Sequence, residues 1–86
     1  MNDAGTIELV ASFPDAATYR RLRVETGLSP KSREAAERGL ANTLYGVSLV
    51  RAGEVIGMRR VIGDNGTVFA VVDIAVQPDY QGQGLG

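Results

Sequence analysis

The sequence has 86 residues and contains neither cysteine nor histidine. Without cysteine it holds no disulfide framework, thiol nucleophile or thiolate metal site. Without histidine it also lacks the commonest general base and the commonest metal ligand. We therefore expect no metal cofactor, and any catalysis has to use other groups.

Neither sign of charge dominates, because nine basic and ten acidic residues give a formal net charge of −1. Partners such as nucleic acid or an anionic membrane select for basic surfaces, so neither is expected. No apolar run approaches membrane-spanning length, and the N-terminus lacks the basic segment and apolar core of a secretion signal. The default expectation is a soluble cytoplasmic protein.

The length and composition suit one small domain or part of one. Hydrophobic residues make up 44% of the sequence and charged residues 22%, as in ordinary globular proteins. A chain of this size buries only about 60–65% of the surface that it exposes when unfolded, so its stability on its own would be marginal.

The spacing of apolar and turn-forming residues predicts six elements in the order strand, helix, helix and three strands. Their expected ranges are Ile7–Ser12, Ala16–Thr26, Lys31–Leu40, Leu44–Arg51, Glu54–Gly63 and Thr67–Val76. Short turns at Ala52-Gly53 and Asp64–Gly66 join the last three segments. We expect an antiparallel meander of these three strands with the first strand on its outer side, in an α+β fold.

The two helices have recognisable ends. Ser12 or Asp15 is the expected N-cap of the first helix, and Gly27 suits the position just after its last residue. Ser29-Pro30 predicts the start of the second helix, since serine caps helices and proline favours the first helical position.

The last strand is apolar at nearly every position and leads into a glycine-rich turn. Strict alternation would place two sets of side chains on opposite faces, both of them covered. The first set is Val68, Ala70, Val72, Ile74 and Val76, and the second is Phe69, Val71, Asp73 and Ala75. Pro78 then ends the strand, and the glycines of Gln81–Gly86 permit close approach of the main chain to a ligand.

These terminal residues resemble the GNAT family of N-acetyltransferases. Gln81-x-x-Gly84-x-Gly86 is similar to the family's pyrophosphate loop, and Asp73–Tyr80 is similar to the strand and turn before it. The resemblance implies that the main chain of Ile74, Ala75 and Val76 pairs with the pantetheine arm of acetyl-CoA. It also implies that the loop binds the pyrophosphate through its amides, from Gln81, Gly82, Gln83, Gly84, Leu85 and Gly86.

Other interpretations of the glycines fit less well. A Rossmann fingerprint requires a second intervening residue before its last glycine and a strand–helix–strand unit, and both are missing. A Walker loop requires a following Lys-Ser or Lys-Thr pair, which is also missing. A surface loop whose glycines merely permit a turn remains the alternative without a ligand.

Asp73 is the weak candidate for a catalytic residue, because it is the one charge in an otherwise apolar strand. It could act as a general base through a water molecule, or it could satisfy backbone or arginine donors, which we favour. Arg59 and Arg60 point to opposite faces of the neighbouring strand, so only one of them can be its partner. Arg23 lies on the apolar stripe of the first helix and could touch a substrate, although we favour a side chain that extends to solvent.

The catalytic acid and base are otherwise unassigned. Some GNAT enzymes have a catalytic glutamate three residues before the position of Asp73, and Ala70 stands there in this sequence. Many relatives have a tyrosine that protonates the thiolate, and the resemblance implies that its position would fall beyond Gly86. Glu25 and Glu54 are fallback candidates for the base.

The resemblance implies that residues 1–86 form the N-terminal β-α-α-β-β-β part of a single acyl-CoA N-acyltransferase-like domain of the three-layer α/β type. The implied reaction is transfer of the acetyl group of acetyl-CoA to a primary amine, for which we expect a small molecule, by direct attack in a ternary complex. This part alone is expected to be inactive.

The alternative is a non-catalytic module that binds coenzyme A or another protein. We expect the C-terminal half of the domain, or a second copy, to cover the edge of strand Thr67–Val76.

Overall fold

The computed structural model describes residues 6–81 of the chain. Within this range the secondary structure follows the predicted order of strand, two helices and three strands. The elements are β1 (Ile7–Val10), α1 (Ala16–Glu25), α2 (Arg33–Leu40), β2 (Tyr45–Arg51), β3 (Glu54–Gly63) and β4 (Phe69–Val76), followed by a 3₁₀ turn at Pro78–Tyr80. None of the helices in the described range is long and apolar enough to cross a membrane.

The strands of residues 6–81 form one antiparallel sheet in the order β1-β2-β3-β4. The predicted meander is confirmed, as is the position of β1 outside β2. Ala52 and Gly53 adopt positive φ angles of 52° and 80° in the first turn. In the second turn the carboxylate of Asp64 accepts hydrogen bonds from the main-chain N–H groups of Gly66, Thr67 and Val68. These local bonds explain why such short connections fix the register of the sheet.

Helix α1 has the expected ends, whereas α2 begins later than predicted. Asp15 caps α1 by accepting a 2.9 Å hydrogen bond from the N–H of Thr18, and Gly27 follows the helix with φ of 84°. Helix α2 starts at Arg33 with Ser32 as its cap, so the predicted start at Ser29-Pro30 is wrong. The hydroxyl of Ser29 instead accepts a hydrogen bond from Arg23, which removes it from a capping role.

The main core lies between the two helices and one face of the sheet. Its buried members are Tyr19, Leu22, Ala36, Met58 and Ala75. Leu22 is fully enclosed, with no solvent exposure, and its burial favours folding by roughly 1.5–3 kcal/mol. Ala36 is the member of this core that lies on α2, and its small side chain lets that helix approach closely.

Strict alternation along β4 is wrong, because the strand contains a β-bulge. Met58 pairs with Ala75 and Arg60 pairs with Val72, so two residues of β4 lie opposite Arg59. The extra residue shifts the alternation, and Val72 and Ala75 therefore share the helix side of the sheet. The alternation predicted that Ala75 shares a face with Phe69 and Val71, and this prediction is wrong.

Within the described residues β4 is covered on one face only, so its predicted cover on both faces stays a prediction. Phe69 is 57% exposed, Val71 54% and Ile74 48%. Phe69 and Val71 lie on the sheet face that points away from the helices, because they alternate with Val72 across the ladder to β3. Within residues 6–81, only the helix side of the sheet has a covering layer.

Candidate coenzyme site and the Asp73 cluster

The bulge in β4 is formed by Asp73 and Ile74, which both lie opposite Arg59. Asp73 has φ of 55°, in the left-handed region that residues other than glycine seldom adopt. Aspartate tolerates this region better than most residues, because its short side chain makes local polar contacts. A bulge removes one residue from the ladder of main-chain hydrogen bonds and bends the strand. The strand that the sequence assigned to the coenzyme is therefore irregular at the first of its three candidate residues.

The carboxylate of Asp73 lies between two arginines. Its Oδ1 accepts hydrogen bonds from Nη1 of Arg23 at 2.7 Å and from the hydroxyl of Tyr19 at 3.1 Å. Its Oδ2 accepts one from Nε of Arg60, also at 2.7 Å. The Asp73 side chain is only 8% exposed, and those of Arg23 and Arg60 are 9% and 11% exposed. These short, shielded contacts are typical of strong charge-assisted hydrogen bonds.

Both arginines are themselves held by main-chain and hydroxyl oxygens. Arg23 donates from Nε to the carbonyl of Ser29 at 2.6 Å and from Nη2 to the Ser29 hydroxyl at 2.9 Å. Arg60 donates from Nη1 to the carbonyl of Gly39 at 3.1 Å and to the hydroxyl of Thr43 at 3.0 Å. The cluster therefore connects the bulge of β4 to the segment between the helices and to the end of α2.

This arrangement supports the structural alternative for Asp73. Both of its oxygens already accept from charged donors, and little of the side chain is open to water or to a substrate amine. Arg60 is the arginine of β3 that binds Asp73, which confirms the prediction that only one of Arg59 and Arg60 can do so. The prediction that Arg23 extends to solvent is wrong, because the buried carboxylate offers its guanidinium a charged partner.

Sequence reasoning missed Tyr19 as a third donor to Asp73. A signal for it was present, because Tyr19 and Arg23 are four residues apart and so lie on the same side of α1. Burial raises the pKa of the Tyr19 phenol, and the negative charge of Asp73 and its hydrogen bond raise it further. The phenol is therefore held in its neutral, hydrogen-bond-donating form.

The three strand residues assigned to the coenzyme differ in exposure. Ala75 is buried in the core, whereas Ile74 is half-exposed and Val76 is partly buried. Ile74 and Val76 border a shallow depression on the sheet face opposite the helices. The ladder ends just beyond them, where the N–H of Gln77 donates to the carbonyl of Ile56 at 2.8 Å.

The turn after β4 is tightly tied to the strands. The N–H of Tyr80 donates to the carbonyl of Gln77 at 2.9 Å, and the Tyr80 hydroxyl accepts from Nη1 of Arg51 at 3.0 Å. Gln81 is the one loop candidate that lies within the described range, and its side chain donates to the carbonyl of Val76 at 2.9 Å. The other loop candidates, Gly82, Gln83, Gly84, Leu85 and Gly86, lie outside the described residues.

The fallback carboxylates Glu25 and Glu54 are brought together away from the bulge. Arg21 lies between them, with Nη1 at 2.9 Å from Glu25 and 3.7 Å from Glu54, and the side-chain amide of Gln77 donates to both. These ion pairs are solvent-exposed and suit a surface network. Among residues 6–81, no group of three or more acidic side chains forms a candidate metal site.

Comparison with known proteins identifies the protein family to which the chain belongs. The family model for the acetyltransferase (GNAT) family matches residues 9–86. The chain belongs to the GNAT acetyltransferase family, and the resemblance noted in the sequence is confirmed. The comparison with curated proteins found no match.

Two solved structures illustrate the relationship. One is a protein of unknown function from meticillin-resistant Staphylococcus aureus, described as a probable acetyltransferase, which is 50% identical with a TM-score of 0.87. The match covers 93% of this chain and 60% of that one. The other is a GNAT family acetyltransferase from Streptococcus pneumoniae, 23% identical with a TM-score of 0.78, covering 93% of this chain and 59% of that one. The chain thus has the GNAT acyltransferase fold and spans about 60% of the length of these structures.

Proposed function

We propose that the protein transfers the acetyl group of acetyl-CoA to a primary amine of a small molecule. The observation that carries the proposal is the β-bulge at Asp73 and Ile74, directly before the strand end and the glycine-rich loop. A bulge takes main-chain groups out of the ladder, so they become available to an extended ligand. The pantetheine arm of acetyl-CoA is such a ligand, and Ile74, Ala75 and Val76 are the residues to which we assign it.

The loop supplies the second half of the proposed coenzyme site. Gln81–Gly86 contains three glycines and no charged side chain, so its anion-binding capacity rests on main-chain N–H groups. Glycine lets these groups approach a diphosphate closely, since no Cβ stands between them and the ligand. The contact of Gln81 with Val76 supports this assignment, because it joins the start of the loop to the end of the strand.

In the proposed reaction the amine lone pair attacks the carbonyl carbon of the thioester. A C–N bond forms and the C–S bond breaks, so coenzyme A leaves as a thiolate and is protonated by the proton that the amine gives up. The strand contributes by holding the thioester next to the amine and by hydrogen bonding to its carbonyl oxygen as negative charge develops there. We assign no general base to residues 6–81, since Asp73 is engaged by its arginines and Ala70 carries no acid.

The amine is proposed to approach from the side of α1 and α2, which pack against the face of β4 that carries Ala75. A small-molecule acceptor remains our proposal for this site. We also propose that the outer edge of β4 is covered by the C-terminal half of the same domain or by a second copy. The exposure of Phe69 and Val71 supports a covering element of this kind.

The test is calorimetric titration of the intact protein with acetyl-CoA, followed by thiol release in the presence of a panel of primary amines. These 86 residues contain no cysteine, so they add no background to a thiol reagent. Binding with amine-dependent thiol release is the expected result. Binding without release across the panel would favour a non-catalytic module that binds coenzyme A. Failure to bind would contradict both the proposed acetyl transfer and the coenzyme-binding module.

A further inference from the structure

We propose that Asp73 is a positioning residue, whose carboxylate fixes the bulge of β4 by bridging Arg23 and Arg60. The proposal rests on the function proposed above. In this proposal the cluster of Asp73, Arg23 and Arg60 determines the conformation of the main chain at Ile74, which lies next to the thioester in the proposed site. The same cluster links that main chain to the helices on the acceptor side of the sheet.

The main-chain conformation of Asp73 needs outside support. Its φ of 55° is unfavourable for a residue with a Cβ, and such conformations persist where surrounding contacts enforce them. Here the enforcing contacts come from two elements far apart in sequence, 50 residues away at Arg23 and 13 residues away at Arg60. Because each carboxylate oxygen is bound from a different side, the side chain cannot rotate without breaking a charged hydrogen bond.

The arginines can act as fixed anchors because their remaining donors are also used. Arg23 is bound to Ser29 twice, and Arg60 is bound to Gly39 and Thr43. The planar guanidinium has a rigid fork of donors, so several bonds on one group determine its orientation. A displacement of the segment between α1 and α2 is thereby passed to Asp73, and through it to the bulge.

The charges explain why a carboxylate is needed and not merely a polar side chain. Two shielded guanidinium groups and one carboxylate leave a formal charge of +1, and arginine does not lose its proton in proteins. Asp73→Asn keeps the size of the side chain and its tolerance for positive φ, but it leaves both cations without a counter-charge. Asp73→Asn therefore separates the ionic contribution from the conformational preference of the residue.

The experiment compares Asp73→Asn and Arg60→Lys with the wild-type intact protein. Lysine keeps the positive charge but replaces the fork of donors by a single ammonium group. Arg33→Lys is the matched control, because it makes the same change in the exposed Arg33–Glu37 pair of α2. The measurements are acetyl-CoA affinity, kcat and KM, the pH profile of kcat, and hydrogen exchange of the Ile74 and Ala75 amides.

We expect kcat to fall by about 10- to 100-fold in Asp73→Asn and by less in Arg60→Lys, because even a small displacement of the reacting groups slows the reaction. Acetyl-CoA affinity should fall less than kcat does, since the loop that is assigned to the pyrophosphate is intact. The pH profile should keep its shape, amide exchange at Ile74 should accelerate in both variants, and Arg33→Lys should match the wild type.

Three results would overturn the inference. The first is wild-type kcat and amide exchange in folded Asp73→Asn. The second is loss of the acidic limb of the pH profile in Asp73→Asn, which would make Asp73 the general base. The third applies if Asp73→Asn does not fold: wild-type kcat and wild-type exchange of the Ile74 amide in Arg60→Lys would then overturn the proposal. Absence of turnover in the wild type would instead contradict the proposed function.

Discussion

The side-chain amide of Gln81 donates a hydrogen bond to the main-chain carbonyl of Val76, with 2.9 Å between Nε2 and O. This contact spans the 3₁₀ turn and joins the start of the glycine-rich segment to the end of β4. The first residue of the glycine-rich segment is therefore fixed relative to the strand. In the proposed site it sets where the loop begins, and the main-chain N–H groups after it bind the anion.

Replacing Gly84 with valine should weaken acetyl-CoA binding far more than it weakens folding. A branched side chain would obstruct the close approach of the main chain to the pyrophosphate that the proposed site requires. Each hydrogen bond lost to a charged group costs about 1.5–3 kcal/mol, so the loss of several should abolish measurable binding at micromolar concentration. Calorimetric titration and thermal unfolding of the same variant separate the two effects. Unchanged affinity would count against the loop assignment.

The meander was predictable because its signals are local. Alternating apolar segments and turns such as Asp64–Gly66 specify hairpins through bonds between near neighbours in sequence. The bulge at Asp73 was not predictable in this way. Its residue Asp73 binds Arg60 of the neighbouring strand and Arg23 of α1, and the second contact joins residues 50 positions apart that only the complete fold brings together.

The candidate site was predictable to a similar, partial extent. The motif placed it at the end of β4, and the sequence singled out Asp73 as a charge that needs a partner. Sequence reasoning assigned Arg23 to solvent because a long cation on a helix stripe usually extends outward. The competing effect, a buried carboxylate from a distant strand, becomes apparent only with the fold. The assignments from Gly82 to Gly86 stay predictions.

Gly63→Ala should destabilise the protein strongly. Gly63 has φ of 150°, and a Cβ there would overlap the carbonyl oxygen of Val68 and approach Cα of Phe69 to 3.1 Å. The backbone conformation alone should cost about 1–3 kcal/mol, and the overlap adds to it. Gly66→Ala is the control, because its nearest contact would be an ordinary 3.7 Å to Asp64, and it should change stability by less than about 0.5 kcal/mol. Equal unfolding free energies in urea would contradict this account of the turn.

Tyr19→Phe should lower stability at neutral pH and lower it less at alkaline pH. The hydroxyl donates to Asp73, and its removal should cost about 0.5–1.5 kcal/mol. The folded-state pKa of Tyr19 is raised, so the contribution of the neutral phenol is complete below the unfolded-state pKa of about 10. It is lost as the pH rises through the folded-state value, because the unfolded chain ionises first.

Urea unfolding at about pH 7 and about pH 11, on either side of the tyrosine pKa, measures this difference. The gap between wild type and Tyr19→Phe should shrink at the higher pH. Tyr45→Phe is the control, since Tyr45 is 58% exposed and its hydroxyl makes no hydrogen bond within the described residues. A gap that is equal at both pH values would show that the phenol of Tyr19 does not contribute in this way.

The 86-residue chain by itself should associate with other copies. Within residues 6–81 the outer edge of β4 has no strand partner, and Phe69 and Val71 are 57% and 54% exposed on the adjoining face. An open apolar edge pairs readily with another strand. Burying each of these side chains is worth roughly 1.5–3 kcal/mol, a large share of the 5–15 kcal/mol or so that stabilises a domain.

Sedimentation velocity at micromolar concentration tests this expectation. The chain should sediment as a dimer or larger species, and Val71→Thr should shift it toward the monomer, because threonine keeps the preference for a strand but is less apolar. Val24→Thr is the matched control, since Val24 is 63% exposed on α1 and away from the sheet edge. It should leave the distribution unchanged. A folded, soluble wild-type monomer would show that β4 does not require a covering element and is not an inner strand of a larger sheet.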